Sequence, residues 1–92
     1  MDKVYVYQAV YGEGKEFSQD VNVELYHDEE RALEEMKKDY KNVRKEFIEK
    51  GGYDEDDLSV DTTRKNIITL SADEDSDWWE GKVFEKTIKK SY

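Results

Sequence analysis

The acidic segment DEDSD, residues 73–77, comes closer than any other stretch of the chain to a known metal-binding motif. Asp73, Asp75 and Asp77 alternate along the sequence, as do the first three ligands of an EF-hand calcium loop. The sixth loop position, however, is Trp78 where a glycine is needed, and the twelfth is Phe84 where a bidentate glutamate is needed. We therefore predict no tight calcium site, and we interpret the segment as an acidic connection between two strands.

Other residue types that could support catalysis or metal binding are few. His27 is the single histidine and the chain has no cysteine, so carboxylates would have to supply every other ligand of a zinc site. The segment GEGK, residues 12–15, has too few glycines for a phosphate-binding loop, and no GK[ST] follows it. These observations predict a non-enzymatic protein that needs no cofactor and no metal.

The charge of the chain is strongly negative and unevenly distributed. The formal net charge is −9, and most of the excess acid lies in residues 1–30 and 51–77. Affinity for nucleic-acid backbones comes largely from lysine and arginine, so direct nucleic-acid binding is not expected. Binding to an anionic membrane is disfavoured for the same reason, and no apolar stretch approaches the roughly 20 residues of a membrane span. Such a surface suits a basic protein partner.

The aromatic content indicates a folded domain. The chain has 92 residues, enough for one domain spanning residues 1–92, with 36% apolar and 42% charged residues. That balance alone is typical of disorder, but 13% of the residues are aromatic and each buried ring removes about 150–250 Å² from water. The first residues lack a basic and an apolar signal-peptide region, so a cytoplasmic location is expected.

One long helix is predicted over residues 28–50. Apolar residues recur there at spacings of three and four, which places them on one helical face: Leu33, Met36, Tyr40, Val43 and Phe47. Asp28 has the side chain of a good N-cap. The pair Gly51-Gly52 supplies a C-terminal stop, where a left-handed residue is common.

Alternating apolar residues predict strands before and after this helix. The expected strands cover residues 3–10, part of 16–26, 58–63, 67–72 and about 78–88, and a turn is expected at residues 12–15. In the last strand Trp78 and Trp79 should point to opposite faces, and Gly81 predicts a bulge. The order ββαβββ predicts an α+β fold: an antiparallel sheet of four to five strands with one helix packed on one face. The other face must be solvated or docked to something else.

The first strand has two different apolar faces, and the sequence leaves open which one the helix covers. Valines lie on one face and Tyr5, Tyr7 and Tyr11 on the other. If the valine face packs against the helix, the tyrosines lie on the open face, where aromatic residues favour protein interfaces. Otherwise the rings fill the core.

Three segments carry a resemblance to known proteins: VYVYQAVYGEGKEF, DEERALEEMKKDY and WWEGKVFEKTIKK. In pattern they resemble small acidic proteins, mostly uncharacterised, from phages and mobile elements of Gram-positive bacteria. Some proteins of that kind inhibit CRISPR nucleases or restriction enzymes by presenting carboxylates where DNA phosphates would lie. The resemblance implies a fold type and this class of activity, and it assigns no site residue.

Two functional hypotheses follow. In the first, the protein is an acidic binding protein or inhibitor that engages a basic protein surface, such as that of a nucleic-acid-binding protein, and mimics nucleic acid. Its candidate binding residues are Asp54, Glu55, Asp56, Asp57, Asp73, Glu74, Asp75 and Asp77. In the second, the chain is an accessory or structural domain that forms a homodimer through an open aromatic face containing Tyr5 and Tyr7.

Overall fold

The structure, a computed structural model, describes residues 3–13, 19–72 and 77–87. Its elements follow the predicted order: β1 Lys3–Glu13, β2 Gln19–Tyr26, α1 Glu29–Glu49, a short 3-10 helix Glu55–Asp57, β3 Leu58–Arg64, β4 Ile67–Ala72 and β5 Asp77–Thr87. The predicted α+β class is confirmed, because five antiparallel strands form one sheet against which α1 packs.

The strands are arranged in the order β2-β1-β5-β4-β3, and every neighbouring pair is antiparallel. The central pair joins distant parts of the chain, since β1 aligns with β5 from Lys3 opposite Thr87 to Glu13 opposite Asp77. The connection from β2 to β3 contains α1, which crosses one face of the sheet. We call that face the covered face and the opposite one the open face.

The helix begins and ends close to the predicted positions. The Asp28 carboxylate accepts a hydrogen bond of 3.0 Å from the backbone N–H of Glu30, which satisfies one of the free donors of the first turn. At the other end the N–H groups of Lys50 and Gly51 donate to the Glu46 carbonyl. Gly52 then has a φ of +72°, a left-handed conformation that glycine adopts without strain.

The core lies between α1 and the covered face. Leu33, Met36 and Phe47 of the predicted helical stripe are buried, and Tyr40 and Val43 pack half-buried beside them. The Phe47 ring lies 6.1 Å from the Tyr11 ring and 6.2 Å from the Tyr53 ring, between centroids. The helix also buries Ala32, and the sheet contributes the other buried core residues: Tyr7, Ala9, Ile68, Leu70, Ala72, Trp79 and Val83.

Two local expectations for the strands are wrong. No bulge occurs at Gly81, because β5 pairs in continuous register with both neighbours through that residue. A Cβ at Gly81 would lie 2.5 Å from the Trp79 ring and 2.9 Å from Met36 Cγ, so the glycine leaves room for the buried ring. The irregularity lies instead in β3, between Asp61 and Arg64. In β1, the expected turn residue Gly12 is still in the strand.

Candidate functional site

The acidic segment of residues 54–57 forms a small, locally ordered structure. The Asp57 carboxylate accepts a hydrogen bond of 3.0 Å from the backbone N–H of Asp54, and the Asp57 N–H donates to the Asp54 carbonyl at 2.9 Å. Glu55 Oε1 lies 3.0 Å from Arg44 Nη2 of α1, which connects the segment to the helix. Asp54, Glu55, Asp56 and Asp57 are all exposed.

Asp77 has a more structural position than the other acidic residues. Its carboxylate accepts a hydrogen bond of 2.8 Å from the Tyr53 hydroxyl, and the residue is half-buried at the start of β5. The preceding residues, Asp73, Glu74 and Asp75, lie outside the described part of the chain. The expectation about calcium at DEDSD therefore stays a prediction.

The strand order brings the ends of both acidic segments together. Leu58, which follows residues 54–57 directly, pairs with Ala72, and Ala72 pairs with Asp77. Residues 54–57 and the two points at which residues 73–76 join the sheet therefore lie at one end of the sheet. We call this region, with residues 54–57 and Asp77, the acidic end. The sequence contained both segments but not the strand order that brings Leu58, Ala72 and Asp77 together.

Two lysines away from the acidic end pair with acidic side chains. Lys3 Nζ lies 3.1 Å from Glu85 Oε1, and Lys65 Nζ lies 2.9 Å from Glu29 Oε1. The hydrogen bond to Glu85 raises the pKa of Lys3, and the one to Glu29 raises the pKa of Lys65. Exposed pairs of this kind add little stability, but they balance charge locally.

Tyr5 and Tyr7 lie on the covered face, so the hypothesis of an open aromatic face is wrong. Tyr7 is 1% exposed, and its hydroxyl donates a hydrogen bond of 2.7 Å to Asp39 Oδ2 of α1. Tyr5 packs half-buried against the core. A tyrosine ring can fill the space between sheet and helix and still place its hydroxyl on a polar partner, which valine cannot do.

A second tyrosine–carboxylate pair lies beside the first. The Tyr26 hydroxyl donates a short hydrogen bond to Glu24 Oε2, and partial burial together with this bond raises the pKa of Tyr26 to about 12. Burial and the bond to Asp39 raise the pKa of Tyr7 as well. Both hydroxyls therefore stay protonated at neutral pH, so neither tyrosine has the lowered pKa that a tyrosine base requires.

The open face carries an aliphatic surface that sequence reasoning did not single out. Val6 of β1 pairs with Leu25 of β2 and with Phe84 of β5, and Val4 and Val23 face the same side of the sheet. Val21, Val23 and Leu25 are 54%, 54% and 65% exposed. We call Val4, Val6, Val21, Val23, Leu25 and Phe84 the aliphatic stripe. Their alternation predicted strands, but only the pairing shows that they lie side by side.

Candidate metal and membrane features are absent from the described part of the chain. His27 is exposed in the connection between β2 and α1. Among residues 3–13, 19–72 and 77–87, no three or more histidine, cysteine or acidic side chains are grouped so that they could hold a metal ion. None of the helices in these ranges is long and apolar enough to cross a membrane.

Comparison with known proteins gives no relative from which a function could be transferred. The chain matches no family model, no curated protein and no solved structure. The functional argument therefore depends on two features of the chain itself, the acidic end and the aliphatic stripe.

Proposed function

We propose that this chain is a non-enzymatic binding protein whose acidic end engages a basic protein surface, such as the cationic groove of a nucleic-acid-binding protein. The observation that supports this proposal is the pairing of Leu58 with Ala72 and of Ala72 with Asp77. Because of this pairing, the two acidic segments leave the sheet from the same end. Charges of one sign gathered at one end produce a stronger local field than the same charges spread over the surface.

Local order in residues 54–57 also favours binding. The 3-10 helix and the Glu55–Arg44 pair hold the backbone of this segment before any partner arrives. A segment that is already ordered loses less conformational entropy on binding. The exposed carboxylates of Asp54 and Asp56 are then presented to solvent at fixed positions, much as successive phosphates are on a nucleic-acid strand.

Two paired-charge variants with the same net charge test the proposal. The first changes the exposed residues of the acidic end, Asp54→Lys with Asp56→Lys, and leaves the Glu55 and Asp57 contacts in place. The second, the matched control, changes Glu30→Lys with Glu34→Lys near the start of α1, where both side chains are exposed. The probe is prepared by collecting the proteins of a Gram-positive bacterial lysate that bind to a duplex-DNA column. These proteins are then applied to the immobilised parent protein or variant.

The expected result is that the parent protein and the Glu30/Glu34 variant retain a basic protein, whereas the Asp54/Asp56 variant does not. Duplex DNA should compete for the retained protein, and retention should weaken as salt rises because charge interactions are screened. If both variants retain the same proteins equally, or if duplex DNA does not compete, the acidic end is not the binding surface. Circular dichroism on both variants shows that the fold is intact.

A further inference from the structure

The two edges of the sheet differ in how well they are protected against pairing with another strand. At the β3 edge, the register breaks between Asp61 and Arg64, and the Asp61 carboxylate accepts hydrogen bonds from the backbone N–H and the hydroxyl of Thr63. A local irregularity and edge charges of this kind discourage further pairing. The β2 edge has eight residues in unbroken register with β1 and contains no proline, lysine or arginine, although it does carry the acids Asp20 and Glu24.

The β2 edge also carries most of the exposed aliphatic surface. Three of the four large hydrophobic residues that are exposed in the described chain lie on β2: Val21, Val23 and Leu25. They continue the aliphatic stripe from Val4 and Val6, which are 7% and 5% exposed, out to the free edge. An apolar stripe that reaches an unprotected edge can be extended by a strand of similar pattern.

The sequence of β2 is self-complementary in one antiparallel register. If Val23 pairs with Val23 of a second copy, Val21 stands opposite Leu25, and Asn22 stands opposite Glu24. If the pairing is centred on Glu24 instead, Glu24 stands opposite Glu24. If it is centred on Asn22, Asp20 stands opposite Glu24. Like charges directly opposite each other destabilise a strand pair. The register centred on Val23 avoids both of these acid pairs.

From these observations we propose that two copies of this chain form a symmetric dimer through β2, paired antiparallel about Val23. The two five-stranded sheets join into one sheet of ten strands. Because directly opposite residues in an antiparallel pair share a face, both helices lie on one side and the two aliphatic stripes form one surface on the other. A two-fold axis through the Val23 pair relates the copies, which is the commonest symmetry of soluble oligomers.

The charge distribution is compatible with this dimer despite the net charge of −9 on each copy. The acidic end lies at the end of the sheet where β2 starts, and antiparallel pairing of β2 places the two acidic ends at opposite ends of the combined sheet. Their mutual repulsion is therefore weaker than in a parallel arrangement, because charges separated by more than about 10 Å in ordinary salt are largely screened. The dimer does not depend on the proposed function, because it forms from the isolated protein.

Sedimentation velocity on the purified chain, from micromolar to millimolar concentrations, tests the dimer. The parent protein should sediment as a dimer, and Val23→Lys should weaken dimerisation at least about tenfold, because it removes two valines from the interface and places two lysines opposite each other at the centre. The matched control is Val60→Lys, which changes a valine that is 42% exposed on β3, at the other edge. This control should leave the dimer unchanged.

A pair of substitutions at Asn22 tests the register. Asn22→Lys would create two lysine–glutamate pairs with Glu24 in each dimer and should lower the dissociation constant. Asn22→Asp would create two acid pairs and should raise it, each by about twofold to thirtyfold given ordinary cross-strand pair energies. In the register that pairs Asn22 with itself, both substitutions would weaken the dimer, so effects of opposite sign exclude that register.

Three outcomes would overturn the proposal: a parent protein that stays monomeric at millimolar concentration, an equal effect of Val23→Lys and Val60→Lys, or Asn22 substitutions that both weaken the dimer. Because the Asn22 changes are made at an exposed strand position, they keep the test valid even if Val23→Lys fails to fold.

Discussion

The covered and open faces of the sheet carry different kinds of apolar side chain. On β1 the covered face presents tyrosines, of which Tyr7 reaches Asp39 of the helix, whereas the open face presents Val4 and Val6. Both kinds are buried, yet only the tyrosine side contacts the core under α1. Val4 and Val6 lie outside that core although they are only 7% and 5% exposed. Low exposure alone therefore does not identify the core of this protein, and an apolar residue can be buried on a face that still lacks a partner.

The largest effect is expected where the covered face is packed most tightly. Phe47→Ala should lower the free energy of unfolding by about 3–5 kcal/mol, and Leu33→Ala by about 2–5 kcal/mol, because each leaves a cavity. Urea unfolding followed by circular dichroism measures both. The control on the open face, Val23→Ala, should change stability far less at protein concentrations low enough to keep the chain monomeric, since Val23 is half exposed in the single chain. Equal losses on the two faces would remove the distinction between them.

The next effect concerns the close packing at Gly81. Gly81→Ala would place a methyl group against the Trp79 ring and Met36, and overpacking of this kind costs about 1–3 kcal/mol. The thermal unfolding midpoint should fall accordingly. An unchanged midpoint would show that Trp79 can move aside and that the covered face is less tightly packed than the distances indicate.

An effect of similar size is expected from the hydrogen bond that joins sheet and helix. Tyr7→Phe removes the donor to Asp39 and should lower stability by about 1–3 kcal/mol, as for other bonds to charged groups. The control is Tyr40→Phe, which changes a half-buried tyrosine on the same helix-to-sheet interface. Urea unfolding at neutral pH compares the two variants, and equal losses would mean that the Tyr7–Asp39 bond has no special role.

The raised tyrosine pKa values predict a loss of stability at alkaline pH. An unfolded tyrosine ionises near pH 10, whereas the pKa of folded Tyr26 is about 12. The stabilisation from a raised pKa is complete below about pH 10 and is lost as pH rises towards 12. Tyr7 contributes in the same direction. The free energy of unfolding should therefore decline over this range, and Tyr26→Phe should make the decline shallower. A parent protein with constant stability from pH 9 to 12 would contradict the assignment.

The elements that the sequence predicts well are those whose pattern is local. The three- and four-residue spacing of Leu33, Met36 and Phe47 fixed the helix, and the bounds of β4 were predicted to the residue. The covered side of β1 could not be predicted, because both of its faces are apolar and alternation alone does not rank tyrosine above valine. The tyrosine face packs against the helix, where Asp39 accepts the hydrogen bond of Tyr7, and these two residues are 32 positions apart in the sequence.

The candidate surfaces depended even more on long-range pairing. Sequence reasoning selected residues 54–57 and Asp77 by charge, but their arrangement at one end follows from β4 lying between β3 and β5. The aliphatic stripe combines residues from β1, β2 and β5, and no local window of sequence contains them together. The alternation of Val21, Val23 and Leu25 was visible in the sequence. Only the strand order shows that these residues form one surface with those of β1 and β5.

The position of β1 between β2 and β5 has a consequence for how the chain reaches its native state. The pairing of β1 with β2 joins residues that are near in sequence. The pairing of β1 with β5 joins residues that are far apart, since Lys3 pairs with Thr87, so we expect it to form later. Contacts between such distant residues require a large loop to close first, and chains dominated by them fold more slowly than helical bundles. Until β5 arrives, β1 has an unpaired edge and an apolar face without its neighbours. Pairing of β5 therefore completes the core during folding. A chain truncated before residue 77 should be prone to aggregate.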